Sequence, residues 1–258
     1  MPKQSRIQCL DRTMDILERL GEKGEMGVTE LAQDVGLNVA TVHNIVTTLA
    51  ARQYLMNDNG RYMLGPAFAV LAGRWNPLSV LPRLAQPYLE QVTAETGESA
   101  VTAVIVGTSA FMVAFTLGTD EVTTQFPRQM YPHPLILSTG RVLVAYSDNH
   151  QQEEMVKRYC ANSQDEEARW SLAEWLREFA HIRQQGFTAI HRPNPNTLSS
   201  MAVPVWGPGD GQPIAALGAS CPAFRASDEH LNAMQRAITK AAHSLSHELG
   251  HREMTPIA

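Results

Sequence analysis

The sequence predicts an α+β protein of two domains: an N-terminal winged helix-turn-helix, then an antiparallel sheet covered by helices. Residues Thr29 to Arg52 read as two helices broken at Gly36-Leu37. A hairpin signal, Asn57-Asp58-Asn59-Gly60, follows at once. From Ser99 the apolar period changes from that of a helix to that of a strand, with strands early and late and helices between them. A length of 258 residues suits about two domains, each able to bury its own core.

Leu10, Met14, Leu17 and Leu20 recur at helical spacing, so a first helix precedes the helix-turn-helix and packs on it. Glu22 to Gly27 reads as the loop that follows. Thr29 suits the N-cap of the next helix, and Gly36 the residue just past its end. Asn38 suits the N-cap of the second helix, where Val42, Ile45, Val46 and Leu49 form one apolar stripe. The opposite face carries Thr41, Asn44, Thr47 and Thr48, with His43 on the flank. A helix with short polar side chains outward fits the major groove and reaches base edges. Gln53–Met56 and Arg61–Leu64 are short apolar runs about the Asn57–Gly60 turn, whose Asn-Gly pair tolerates positive φ. A hairpin there makes a wing that can lie along a phosphate backbone.

Ala67 to Trp75 reads as a short apolar helix broken by Asn76-Pro77, so the domains are expected over 1–75 and 76–258. Val80 to Thr96 reads as a helix that Gly97 stops. Two strands flank Gly107-Thr108, and Val122 to Phe126 reads as a third. Tyr131-Pro132-His133-Pro134 is a rigid turn, with His133 a turn residue. Leu135-Ile136-Leu137 then runs into Ser138-Thr139-Gly140 and an apolar helix to Tyr146. Amphipathic helices follow over about Gln151–Ala161 and Ser171–Gln185. Further strands are expected at Phe187–His191, Leu198–Trp206 and Ile214–Ser220, and a last helix at Ser227–Leu249.

Composition narrows the function. No apolar run approaches the ~20 residues of a membrane span, and MPKQSRIQCLDR lacks the apolar core of a signal peptide. Cys9, Cys160 and Cys221 are far apart, with no CxxC, so no disulfide framework or zinc site is expected and a reducing cytoplasm fits. GxSxG, Gly-rich phosphate-loop and paired-carboxylate motifs are absent, which argues against an enzyme and for no cofactor. Net charge is −5, all of it in the second domain: residues 1–75 carry eight basic and eight acidic side chains. Phosphate neutralisation supplies most non-specific DNA affinity, so a neutral first domain implies weak binding per monomer and a need for oligomers.

The chain resembles the IclR family of bacterial transcription regulators along nearly its whole length. The resemblance rests on TELAQDVGLNVATVHNIVTTLAARQYL, GRYMLGP, TGE (Thr96–Glu98), PLILSTGRVLVA (Pro134–Ala145), IRQQGF, MAVPVWG with GQPIAALGAS, and the closing ELG, in this order and spacing. It implies an N-terminal winged helix and a C-terminal effector-binding domain with a GAF-like sheet. It also implies homodimers, often paired into homotetramers, on promoter DNA. The DNA-binding residues expected are Arg6, Thr41, His43, Asn44, Thr48, Arg52 and Arg61. Val39, Ala40 and Asn44 depart from the Lys, Ser and Arg usual in the family, whereas Thr41 and His43 match. Asn44 is left to pair bidentately with adenine, and the methyls of Ala40 or Thr41 to meet thymine. A ligand-binding or interaction module without sequence-specific DNA binding is the alternative that this neutral helix allows.

The resemblance also implies a small-molecule effector, often a carboxylate, at the start of the helix after the PLH-like segment. Here that start is Ser138-Thr139-Gly140, whose free N–H groups and helix dipole suit an anion. A plain Ser/Thr N-cap is the other use of such a start. Asn194, from the loop His191–Thr197, and Ser220 would complete the shell. Gly218 stands where a second serine is frequent and would leave room for more than a two- or three-carbon acid. The apolar floor is expected from Met201–Val205 and Leu217.

Overall fold

The computed structural model describes residues 7–251 apart from 75–76, 127, 164–165, 192–196 and 210, with the side chains of 72–78 also outside the description. The chain divides into two compact units, Met1–Asn76 and Pro77–Ala258.

In the first unit, α1 (Gln8–Lys23), β1 (Met26–Gly27), α2 (Val28–Asp34) and α3 (Val39–Ala51) are followed by β2 (Leu55–Asp58), β3 (Arg61–Leu64) and α4 (Ala67–Arg74). Ile16, Leu20, Leu31, Val42, Val46 and Leu55 form its core. Gly36, at φ +64°, turns the chain after α2, and the Leu37 N–H then donates to the Ala32 carbonyl at 2.9 Å. Asn38 caps α3, its Oδ1 accepting the Thr41 N–H at 2.7 Å. Asn59 and Gly60, at φ +51° and +85°, close the hairpin between Asp58 and Arg61, the two-residue geometry that matches strand twist.

Three expectations for this unit need correction. The first recognition-motif helix begins at Val28 with Gly27 as N-cap, not at Thr29, because the Glu30 carboxylate accepts the Gly27 N–H at 3.3 Å. The supposed loop Glu22–Gly27 contains β1, which pairs with β3 and completes a sheet of order β1-β3-β2. Leu10 and Met14 lie on the surface; the first two turns of α1 run past the core, and Ile16 and Leu20 are the residues it buries.

The second unit begins with α5 (Pro77–Thr96), β4 (Ser99–Val106), β5 (Ser109–Thr116) and β6 (Met130–Tyr131). A 3₁₀ turn at Pro134–Ile136 leads into α6 (Ser138–Ala145), α7 (Asn149–Asn162) and α8 (Leu172–Gln185). Strands β7 (Thr188–Ile190), β8 (Leu198–Val205) and β9 (Ala215–Pro222) precede the final helix α9 (Asp228–Glu248). The sheet has the order β6-β5-β4-β9-β8-β7, and each described pairing is antiparallel. On one face α5 and α9 bury Leu81, Leu89, Met234 and Ile238 against Met201, Val203 and Leu217. On the other, α6, α7 and α8 bury Val142, Val144, Tyr159, Trp175 and Phe179 against Ala202 and Ala216. Val122–Phe126, expected as a strand, is irregular; Met130–Tyr131 pairs with β5 instead.

Around α6 the backbone leaves no room for a side chain at two positions, one on the helix and one on β9. A Cβ on Gly140 would lie 2.0 Å from the Pro134 carbonyl oxygen, and one on Gly218 would lie 2.6 Å from the Met201 carbonyl oxygen. Backbone atoms cannot rotate away, so Gly140→Ala should destabilise the second unit by roughly 1–3 kcal/mol, the usual range for overpacking. Gly211→Ala, where nothing lies within 4 Å, should leave the urea midpoint unchanged. Equal midpoints for the two variants would contradict this packing.

Candidate nucleic-acid interface and ligand cavity

Helix α3 presents Val39, Ala40, His43, Asn44, Thr47 and Thr48 to solvent, with Thr41 half-buried. The side chains of His43 and Asn44 are free of intramolecular hydrogen bonds among the described residues. Thr47 and Thr48 differ: their hydroxyls donate to the His43 and Asn44 carbonyls, each at 2.7 Å. The Thr48 oxygen can therefore accept from a base amino group but has no proton left to donate. The first turns of the helix thus offer one amide and one imidazole among methyl groups, a surface suited to adenine and thymine edges.

The cations around this helix are largely engaged within the unit. Arg61, expected on a phosphate, donates from Nε to Glu25 Oε1 at 3.1 Å and from Nη2 to the Glu25 carbonyl at 2.8 Å. Its Nη2 also lies 3.7 Å from Glu30. Arg19 bridges Glu22 and Asp34, and Lys23 meets Asp34 at 2.6 Å. Lys23 and Arg19 together hold the Asp34 carboxyl below the usual carboxylate range. Arg12 and Arg52 form no ion pair with a described residue. Arg6 lies outside the described residues.

In the second unit a cavity of about 140 Å³ opens at the N-terminus of α6. Its hydroxyl-bearing wall comes from Thr124, Tyr131, Ser138, Thr139, Ser200 and Ser220. Its apolar wall comes from Val101, Met112, Phe126, Ile136, Leu137, Ile190 and Leu198. No charged side chain of the described residues lines it. The hydroxyls of Ser138, Thr139, Ser200 and Ser220 make no hydrogen bond to a described residue. Thr124 is 3% exposed, and its Oγ1 is buried without a partner. The N-cap of α6 is Leu137, which has no side-chain acceptor, so Ser138 and Thr139 sit inside the first turn instead of capping it. The first N–H groups of a helix have no intrahelical partner, and here they meet a neutral, hydroxyl-rich space.

Of the expected cavity residues, Ser138, Thr139, Gly218 and Ser220 stand together on its wall. Gly140 does not: it is packed beneath the Pro134 carbonyl, and its lack of a Cβ serves close approach. Asn194 lies outside the described residues. The expected floor of Met201–Val205 and Leu217 is corrected as well. Met201, Val203, Val205 and Leu217 face α5 and α9, and strand alternation gives the cavity Ser200, Gly218 and Ser220 instead. A Cβ on Gly218 would also meet the Thr139 methyl at 3.0 Å, so part of the space a serine would take is filled by α6. Sequence reasoning missed Thr124 and Ser200. Ser200 was recoverable from its period-two relation to Gly218, with which Ala202 pairs; Thr124 was hidden by reading its segment as a strand.

One further cluster has metal-ligating chemistry. Glu98, Cys221 and His230 hold ligand atoms within 4.8 Å of one another. The Arg225 guanidinium, however, grips both Glu98 oxygens at 2.8 and 2.9 Å. Burial pushes the Cys221 thiol up to about 11, away from the thiolate that a metal needs. The arrangement is an ion-paired joint.

Comparison with known proteins agrees with this geometry. The family model for the bacterial transcriptional regulator IclR C-terminal domain matches residues 80–247, and that for the IclR helix-turn-helix domain matches 9–59. The HTH-type transcriptional regulator BhcR of Paracoccus denitrificans is 24% identical over 96% of this chain and 89% of its own length. The transcriptional repressor IclR of Escherichia coli is 22% identical over 93% and 89%. The crystal structure of Pseudomonas aeruginosa HmgR shares the fold with a TM-score of 0.68 at 21% identity, covering 96% of this chain and all of that one (100%).

Freeing Arg61 is the direct test of the electrostatic reading. Glu25→Gln should tighten binding to random duplex DNA and steepen the salt dependence by about 0.9 in log–log slope, one phosphate contact. The gain should vanish when Arg61→Gln is added. Asn44→Ala should leave random DNA unchanged and weaken only the specific site, by roughly 1–3 kcal/mol for a bidentate adenine contact. A Glu25→Gln gain that persists without Arg61 would overturn the assignment.

Proposed function

This chain belongs to the IclR family of bacterial transcriptional regulators, and we propose that its affinity for operator DNA is controlled by a small organic anion bound in the cavity at the start of α6. The observation that carries this is the cavity's polarity: it combines unpaired hydroxyls, one of them on the buried Thr124, with the positive end of a helix dipole. Hydroxyls and helix N–H groups satisfy a carboxylate without a full countercharge. The apolar half of the wall suits a carbon body. Its volume is close to the ~150 Å³ of a cavity known to accept benzene, so the body is of about six carbons. Asn194 is a further proposed contact from the neighbouring loop.

Ligand control needs a second state, and differential affinity for two states is what makes an effector act. We place that second state in the relation between two copies of the chain. Ile7, Leu10 and Met14 at the start of α1, and Val70 and Leu71 on α4, are more than half exposed. Such apolar surface favours burial against another copy, and a neutral DNA-binding unit gains from pairing because contacts to two half-sites add. The expected assembly is a homodimer or a homotetramer on promoter DNA. Sedimentation at micromolar concentration should show a dimer or larger, and Leu10→Glu with Leu71→Glu should shift it towards monomer. A chain that is monomeric before substitution refutes the pairing.

Calorimetry tests the ligand. Benzoate and related monocarboxylates should bind, and benzamide and benzyl alcohol should not. Thr124→Val removes the unpaired hydroxyl at constant shape, so it should leave folding intact and weaken the carboxylate by about tenfold, the scale of a hydrogen bond to a charged group. Equal binding of neutral and anionic ligands would sink the anion assignment.

A further inference from the structure

The cavity wall that carries Thr124 belongs to residues 117–126, an irregular segment between β5 and β6. Segments without a backbone ladder need other groups to fix them. Ser99, at the first position of β4, supplies one. Its hydroxyl donates to the Thr124 carbonyl at 2.7 Å, accepts the Gly118 N–H at 2.9 Å, and stands 2.9 Å from the Thr123 hydroxyl. The Thr119 N–H donates to the Gly97 carbonyl at 3.0 Å.

Arg225 supplies the other. Its Nε and Nη2 clasp the two oxygens of Glu98, whose side chain is 1% exposed. Its Nη1 donates to the Val122 carbonyl at 2.9 Å and lies 3.3 Å from Asp120. His230 Nε2, in the first turn of α9, lies 3.0 Å from the same Glu98 oxygen. One planar guanidinium therefore spans a buried carboxylate on one side and the irregular segment on the other. Glu98 follows α5 directly through Gly97, and Arg225 follows β9, the strand that gives the cavity Gly218 and Ser220.

We propose that Arg225 is a positioning residue for the effector cavity: braced by Glu98, it holds residues 120–122 and so keeps the wall that Thr124 forms in place. The claim rests on the cavity being the effector site. Lysine is not a substitute here, because an ammonium cannot hold the carboxylate fork and the Val122 carbonyl together. Arg225→Lys nevertheless keeps the buried Glu98 charge compensated, so it should fold. A second variant, Glu98→Gln with Arg225→Gln, removes both charges and avoids an unpaired buried one.

Hydrogen exchange and benzoate calorimetry separate the possibilities. In both variants the amides of Gly118 and Thr119 should exchange about tenfold faster or more, while those of the β4–β9 ladder keep their protection. Benzoate affinity should fall in Arg225→Lys by as much as in Thr124→Val, and the combined variant should be no weaker than either alone, as expected when one residue acts through the other. Unchanged exchange at 118–119, equal acceleration across the ladder, or additive losses would each overturn the positioning role. Should benzoate fail to bind the unaltered protein while exchange responds as stated, the effector reading fails and the bracing by Arg225 stands.

Discussion

The second unit depends on how closely α6 comes down on the sheet and on the turn before it. Two glycines set that distance. At Gly140 the helix passes the Pro134 carbonyl with no space for a methyl group, and at Gly218 the strand meets Thr139 and Met201 with almost none. Arg141 reinforces the approach from within: its buried guanidinium donates to the Leu135 carbonyl at 2.8 Å, pairs with Glu167 at 3.1 Å and lies over the Trp175 ring. Because the helix sits so low, its first turn faces a space between sheet and segment 117–126 instead of solvent. The cavity follows from packing. Lifting α6 by one methyl would remove the contact that aims its N-terminus.

Much of this architecture was legible in the residues, for local reasons. Asn38 and Gly36 act on the backbone within a turn of where they stand, and Asn59-Gly60 determines its own hairpin. Such signals need no tertiary context. Where the reading failed, the outcome depended on what a side chain or strand met in the fold and not on its own spacing. Val28 starts α2 because Glu30 reaches back to Gly27. Met26-Gly27 is a strand only because β3 arrives beside it, and the stripe through Leu10 and Met14 has helical spacing but no core above it.

The site was legible as a place more than as a set of contacts. The helix start Ser138-Thr139 and the strand positions Gly218 and Ser220 line one cavity. The face of β8 was not legible, since a two-residue period fixes alternation but leaves the choice of face to the layer that covers it. Thr124 was beyond reach. Its role depends on Ser99 and Arg225, which lie 25 and roughly a hundred residues away along the chain.

The self-neutralised winged helix bears on how such a protein is distributed in a cell. A genome offers on the order of 10⁶–10⁹ competing non-specific sites, and a strongly cationic domain is held by them for most of its life. Here Glu25, Glu30 and Asp34 screen Arg61, Arg19 and Lys23 before any DNA arrives. The expected consequence is a shallower reservoir on random sequence, with a larger fraction of the molecules diffusing freely. A regulator built so is expected to need fewer copies to find one promoter and to be redistributed less by a swing in ionic strength.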